Sequence, residues 1–238
     1  MVQARMGSTR LPGKVLLDLE GASVLARVVT RMRRARTVDE IVVATTTTAA
    51  DESIVAECER LKVSVFRGDE HDVLDRYYRA AKSSQATVVV RVTSDCPLIE
   101  PEIADLTVRR FLAEHPDFAS NTLIRTYPRG LDTEVFSRQA LETAWREASV
   151  SYQREHVTPF IFENPQRFRL VNVQAQSDHS DLRWTLDTQA DLDFVRAIYR
   201  RLGGTDDFGW RDVLAILDRE PELLKINQHV RQKALQEG

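Results

Sequence analysis

Arg5-Met6-Gly7-Ser8-Thr9-Arg10-Leu11-Pro12-Gly13-Lys14 gathers two arginines, a lysine, two hydroxyls and two glycines into one short stretch near the amino terminus. Gly7 and Gly13 allow backbone conformations in which amides approach a polyphosphate, and Arg10 and Lys14 carry charge that can neutralise one. The spacing is not that of a Walker loop, because Val15 follows Lys14 where a Ser or Thr is required. A solvated basic loop has the same composition, so composition alone leaves both readings open.

Two aspartates supply the complementary chemistry. The run Thr87-Val88-Val89-Val90-Arg91-Val92 is the most strand-like in the chain and leads into Thr93-Ser94-Asp95-Cys96-Pro97-Leu98-Ile99. Asp95 therefore stands at the carboxyl end of a strand, where open α/β sheets bind ligands. Mg²⁺ takes one or two carboxylates together with phosphate oxygens, which gives Asp95 a natural role; capping the helix near Pro101 is the alternative. In Leu182-Arg183-Trp184-Thr185-Leu186-Asp187-Thr188-Gln189-Ala190-Asp191-Leu192 a short strand is expected to end at Asp187, just before a helix. Asp191 then occupies the first helical turn, where the dipole alone accounts for it. Asp187 is a second metal-ligand candidate or a cap.

Residues Gln3 to Lys14 as they stand resemble the signature of the cytidylyltransferase family. That family includes the synthetases that activate 3-deoxy-manno-octulosonate and acylneuraminate, and the homologues of spore coat polysaccharide biosynthesis, which are the closest match. Ser94-Asp95-Cys96-Pro97-Leu98-Ile99 resembles its Gly-Asp-x-Pro-Leu-Ile motif, with Ser94 in place of Gly, and Leu186-Asp187-Thr188-Gln189-Ala190-Asp191-Leu192 its Leu-Asp-Thr-x-x-Asp-Leu pattern. The resemblance implies a nucleotide on Arg5, Gly7 and Ser8, triphosphate contacts from Arg10 and Lys14, and Mg²⁺ on Asp95 and Asp187. It also implies nucleotide contacts from Arg67 and Asp72 in Arg67-Gly68-Asp69-Glu70-His71-Asp72, although Asp72 could equally cap a helix, and hydroxyls such as Thr45 near the base or ribose. Asn121, Arg129, Glu134, Glu155 and His156 fall in segments that resemble the acceptor end of the family's cleft. A histidine beside a glutamate in a helix is more often a structural group than a base. The partners implied are CTP, a sugar-like acceptor and a second copy of the chain.

These groups need elements to position them. Short β-branched runs at Ile41-Val42-Val43-Ala44, Val63-Ser64-Val65-Phe66 and 87–92 alternate with helical patterns at 23–35, 51–61, 72–83 and 101–115. Such alternation predicts a mainly parallel sheet flanked by crossover helices, and the resemblance implies that it is the α/β Rossmann-like nucleotide-diphospho-sugar transferase fold. Asp51 reads as a helix N-cap. From 118 the rhythm changes to strands at 118–122 and 133–136 about a turn at Tyr127-Pro128-Arg129-Gly130, a mixed-strand extension. Helices at 140–148 and 154–163, a strand at 169–173, a helix at 190–202 and two helical patterns in 210–233 follow. One domain over 1–238 is expected, and the resemblance implies that 118–165 is its acceptor-side and dimer-pairing extension. Only Met1-Val2-Gln3-Ala4 precede the loop, against about 5–6 residues for an ordinary strand, so either this strand is short or the chain starts upstream; an earlier start codon is the expectation.

Composition narrows the partners. With 33 Lys and Arg against 36 Asp and Glu, the formal charge of −3 offers no global field for nucleic acid. Two cysteines are too few for a disulfide framework, and no apolar run reaches the roughly 18–20 residues of a membrane span, so a reducing cytoplasm is expected. The competing enzyme class is a sugar-nucleotide-dependent glycosyltransferase, whose usual Asp-x-Asp is lacking at Asp95-Cys96-Pro97. A non-catalytic nucleotide-binding homologue is the third reading.

Overall fold

The structure, a computed structural model, describes residues 1–233. Among these, seven strands form one sheet: β1 (Val2–Gln3), β2 (Val42–Thr46), β3 (Ser64–Gly68), β4 (Val88–Thr93), β5 (Phe118–Ser120), β6 (Glu134–Ser137) and β7 (Leu170–Asn172). Their order is β3-β2-β1-β4-β6-β5-β7. All neighbours are parallel except β6, which runs antiparallel to β4 and β5. This is the mainly parallel, mixed-edge sheet expected. β1 is short, two residues pairing Val2 with Val43 on one side and Val92 on the other.

Helices α1 (Val24–Met32), α2 (Glu52–Leu61), α3 (Val73–Ser83), α4 (Pro101–Glu114), α5 (Arg138–Glu147), α6 (Ser151–His156), α7 (Pro159–Phe162), α8 (Gln189–Arg201) and α9 (Trp210–Arg219) flank the sheet. Strand alternation divides them. Val43 and Val92 pack with α1, α2 and the start of α4, whereas Ala44 and Val89 pack with α3, α5 and α7. In α3 the buried positions Val73, Leu74, Tyr77, Ala80 and Ala81 follow the helical repeat, and Asp72 caps its start by accepting from the Asp75 amide at 2.9 Å. A third cluster joins α8 and α9 to Tyr127, Leu131 and the fully buried Trp184. Arg31, also fully buried, ties this unit to the sheet: its Nε donates to Ile99 O at 2.7 Å and its other nitrogens to Asp206 O and Phe208 O.

Three sequence expectations are corrected. The helix expected over 154–163 is two short helices, because Val157 turns back at φ 74° and Pro159 lacks the N–H a continuous ladder needs. The strand expected before Asp187 is an extended segment joined by one bridge, Arg129 to Arg183; Trp184 N still donates to Arg129 O, but Leu186 N, further on, donates to Asp95 O at 2.8 Å. The last helical pattern is a 3-10 segment, Pro221–Ile226. No described helix is long and apolar enough to cross a membrane.

Candidate active site

The sheet order puts β2 and β3 on one side of β1, and β4 and β6 on the other, so the connections leave β1 in opposite directions. A crevice opens at such a point beyond the carboxyl ends of the strands. The loop after β1 and the loop after β4 both end there.

Asp51 organises the first loop. It stands at the start of α2, yet its side chain caps nothing in that helix: it accepts from Met6 N at 2.8 Å, Thr45 Oγ1 at 2.8 Å, and Thr46 N and Oγ1 at 3.0 and 2.6 Å. Those bonds, opposing its burial, hold the Asp51 carboxyl below its usual range. The loop then folds back on itself, with Gly13 N donating to Met6 O at 3.1 Å. Gly13 takes φ 67°, which glycine adopts without strain. Lys14 follows in a 3-10 turn and points inward, 8 % exposed.

Lys14 is the centre of the site. Its Nζ donates to Asp95 Oδ2 at 2.9 Å, to Asp187 Oδ1 at 2.8 Å and to Leu186 O at 2.8 Å. Arg10 Nη2 lies 3.0 Å from the other Asp187 oxygen, which Arg183 Nη2 also holds at 2.9 Å. Arg183 in turn grips Asp191, whose carboxylate closes a capping box with Thr188 at the start of α8. The four residues expected to do the chemistry, Arg10, Lys14, Asp95 and Asp187, thus form one ion-pair cluster. Both carboxylates reach a single nitrogen, so one small cation can be shared between them. Among the described residues no group of three or more His, Cys, Asp or Glu could hold a metal. The donor set therefore suits a hard ion that completes its shell with phosphate oxygens and water, as Mg²⁺ does.

Burial opposes ionisation of Asp95, but the Lys14 charge and hydrogen bonds from Thr93 and Lys14 outweigh it and hold the carboxyl at about 2, below the ordinary 3.8. Burial likewise works against the Lys14 charge, and the two carboxylates more than offset it, raising that pKa. A depressed carboxyl adds stability that is complete above its unfolded value and lost as pH falls through the folded one. The melting temperature of the ligand-free protein is expected to hold from pH 7 to pH 5 and to drop between about pH 4 and pH 2, more shallowly in Asp95→Asn. Parallel curves for the two proteins in calorimetric melts would show that this pair does not govern acid stability.

The remaining candidates divide by position. Thr45 is buried on Asp51, and Arg67 braces the end of β2 by donating to Thr46 O and Thr48 O. Asp72 caps α3 and also accepts two bonds from Arg154, at 2.9 and 2.7 Å. Arg154 further donates to the Trp145 and Ala148 carbonyls, while Trp145 Nε1 donates to Asp75 at 2.8 Å and its ring stacks on Tyr78 at 4.2 Å. Gly7 is exposed and Ser8 half-exposed at the loop tip. Arg5 lies 3.7 Å from Glu155 on α6, so the loop after β1 meets α6; His156 follows on the same helix. Glu134 pairs with Arg91 at 2.5 Å and accepts from Thr158 at 2.9 Å. Asn121 is buried, bracing the β5–β6 connection through Leu131 O and Thr133 N. Arg129 is half-buried near Arg125 and Asp132, and burial lowers its pKa.

Sequence reasoning missed Asp51, Arg183, Arg91 and Arg154. Asp51 looked like a cap because a capping residue and a loop anchor are the same residue type. Arg183 and Arg91 gave no signal, since arginines in strand-like runs read as solvent-facing.

A family model described as cytidylyltransferase matches residues 1–207. Over 229 residues the chain is 32 % identical to the spore coat polysaccharide biosynthesis protein SpsF of Bacillus subtilis, covering 93 % of this chain and 94 % of that one. A solved cytidylyltransferase from Leptospira borgpetersenii superposes with a TM-score of 0.91 at 32 % identity, covering 98 % of this chain and 97 % of that one. A CMP:2-keto-3-deoxy-manno-octonic acid synthetase solved with CTP shares the fold, with a TM-score of 0.63 at 19 % identity over 84 % of this chain and 97 % of that one.

Proposed function

The chain belongs to the cytidylyltransferase family and is a nucleotidyltransferase, and we propose that it transfers CMP from CTP to a sugar or sugar acid, releasing pyrophosphate, in surface polysaccharide or glycan precursor biosynthesis. The observation that carries this reading is Lys14 Nζ bridging Asp95 and Asp187 at 2.9 and 2.8 Å. A triphosphate needs cations at its oxygens and carboxylates for its accompanying metal, and this cluster holds both in mutual contact. Arriving phosphates compete for Arg10 and Lys14, which would free Asp95 and Asp187 to hold Mg²⁺; a metal held there would supply Lewis-acid stabilisation of nucleotide oxygens.

The acceptor hydroxyl attacks the α-phosphorus in line and gives up its proton to water; a new P–O bond forms and the bond from the α-phosphorus to the bridging oxygen breaks, releasing pyrophosphate. Arg10 and Lys14 compensate the charge that collects on the departing pyrophosphate, so catalysis is largely positioning and electrostatics. The segment 118–165, with Asn121, Arg129, Glu134, Glu155 and His156, forms the acceptor side and the pairing surface of a homodimer within one domain.

Purified protein with Mg²⁺, each of the four ribonucleoside triphosphates and a panel of sugar acids should release pyrophosphate only with CTP and its acceptor, and CTP alone should raise the melting temperature. Stabilisation without release would leave a nucleotide-binding protein whose acceptor lies outside the panel. No response to any triphosphate would remove the reading and favour a glycosyltransferase.

A further inference from the structure

Arg183 links the carboxylate cluster to the far end of the described chain. Beyond residue 207, where the family match stops, α9 leads into the 3-10 segment Pro221–Ile226 and then to Asn227, which is 3 % exposed. Asn227 Nδ2 donates to Arg183 O and to Asp191 Oδ1, each at 3.0 Å. Further on, Gln232 Oε1 accepts from Arg183 Nη1 at 2.6 Å. Apolar side chains seat this tail: Leu223 is buried in the cluster of α8 and α9, and Leu224 and Ile226 pack against it.

A guanidinium is a rigid planar fork of donors, so engaging it along several edges fixes its plane. Arg183 Nε donates to Asp191 Oδ1 at 2.9 Å, Nη2 to Asp191 Oδ2 at 3.1 Å and to Asp187 Oδ2 at 2.9 Å, and Nη1 to Gln232. Asp191 is itself immobilised, with Asn227 on one oxygen and the Asp187 and Thr188 amides on the other. Three cations touch Asp187 among the described residues, and a triphosphate competes for two of them, Lys14 and Arg10. Arg183 is the one that stays, so its plane sets how the Asp187 carboxylate is turned toward a metal. Both tail side chains are uncharged amides, which orient the arginine without drawing its charge away from Asp187.

We infer that Asn227 and Gln232 are positioning residues for the metal site, fixing Arg183 and, through it, Asp187. This rests on the nucleotidyltransferase reading above and extends the site to a part of the chain outside the nucleotide and acceptor loops. Removing a group that orients a metal-ligating carboxylate lowers metal affinity by about tenfold to a hundredfold. Asn227 and Gln232 act one contact further out, and Asp191 still holds Arg183 in their absence, so the lower figure is expected.

The test is calorimetric binding of CTP to the full chain without acceptor, once with Mg²⁺ and once with EDTA. Mg²⁺ should tighten CTP binding to the wild type. In Asn227→Leu and Gln232→Ala that tightening should fall by about tenfold, while binding in EDTA is unchanged. Gln232→Glu, which restores an acceptor for Nη1, should keep the wild-type ratio. The kcat for pyrophosphate release should fall in the same two variants and recover in part as Mg²⁺ is raised. Gln232 is exposed, so Gln232→Ala decides the matter if circular dichroism shows that Asn227→Leu does not fold. Folded variants that melt earlier yet keep the wild-type ratio of affinities with and without Mg²⁺ overturn the inference and leave the tail a structural buttress. An equal loss of affinity in EDTA overturns it too, as does a wild type whose CTP binding ignores Mg²⁺. If the wild type binds no CTP in either condition, the nucleotidyltransferase reading falls with it, whereas failure confined to the variants leaves that reading standing.

Discussion

Asp187→Asn is expected to lower kcat for pyrophosphate release by about a hundredfold to a thousandfold, comparable to removing a principal electrostatic group from other active sites. Both oxygens of Asp187 are committed, one to Lys14 at 2.8 Å and the other to Arg10 and Arg183 at 3.0 and 2.9 Å. An amide carries no charge for Mg²⁺ and offers one acceptor where three cations converge. The protein should also lose about 1–3 kcal/mol of stability, because Lys14 and Arg183 keep only part of their compensation in a poorly solvated place. Asp95→Asn should damage turnover equally and stability less, since Lys14 retains Asp187 and Leu186 O. Steady-state kinetics well below each variant's melting temperature separate the two effects. Near-normal turnover in either variant would take that residue out of the metal site.

Gly130→Ala is expected to be the most destabilising small substitution in the chain. Gly130 adopts φ 109°, and a Cβ there would lie 2.6 Å from the Trp184 carbonyl carbon and 2.7 Å from Thr185 N, both backbone atoms. Two hydrogen bonds pin the same contact, Arg129 N to Leu182 O at 2.9 Å and Trp184 N to Arg129 O at 2.7 Å. Overlap and backbone strain together should cost about 3 kcal/mol or more, a fall of roughly 6–12 °C in melting temperature for a chain of this size. Because the displaced segment continues into Leu186 and Asp187, turnover should fall as well. Gly203→Ala is the control, also at a positive φ, 70°, but with nothing within 4 Å of its Cβ. Equal melting temperatures for the two variants would show that the close approach at Gly130 relaxes freely.

The parallel core was legible because β2 and β4 are dense in β-branched residues, and helices with ordinary caps separate them. The chemical residues were legible by type, since glycines, cations and isolated aspartates at strand ends have few other uses. Their mutual arrangement was not. Lys14 and Asp187 stand 173 positions apart, and no local pattern announces that a lysine will bridge two carboxylates instead of facing solvent. Where the reading failed, a tertiary demand overrode a local preference. Val157 takes a positive φ that a β-branched residue disfavours, and Pro159 was the only visible warning of the break. Asp51 could be recognised as useful at the head of α2, but its true partners, Met6, Thr45 and Thr46, belong to the ends of β1 and β2.

The clasp between Asp72 and Arg154 makes α3 and α6 a single frame. Asp72 heads α3, Arg154 precedes Glu155 on α6, and Arg5 reaches back to Glu155 from the loop after β1. On the proposed acceptor role of α6, remodelling that helix to take another acceptor would also disturb the loop after β1, and an α6 segment grafted alone from a relative would carry half of a mated joint.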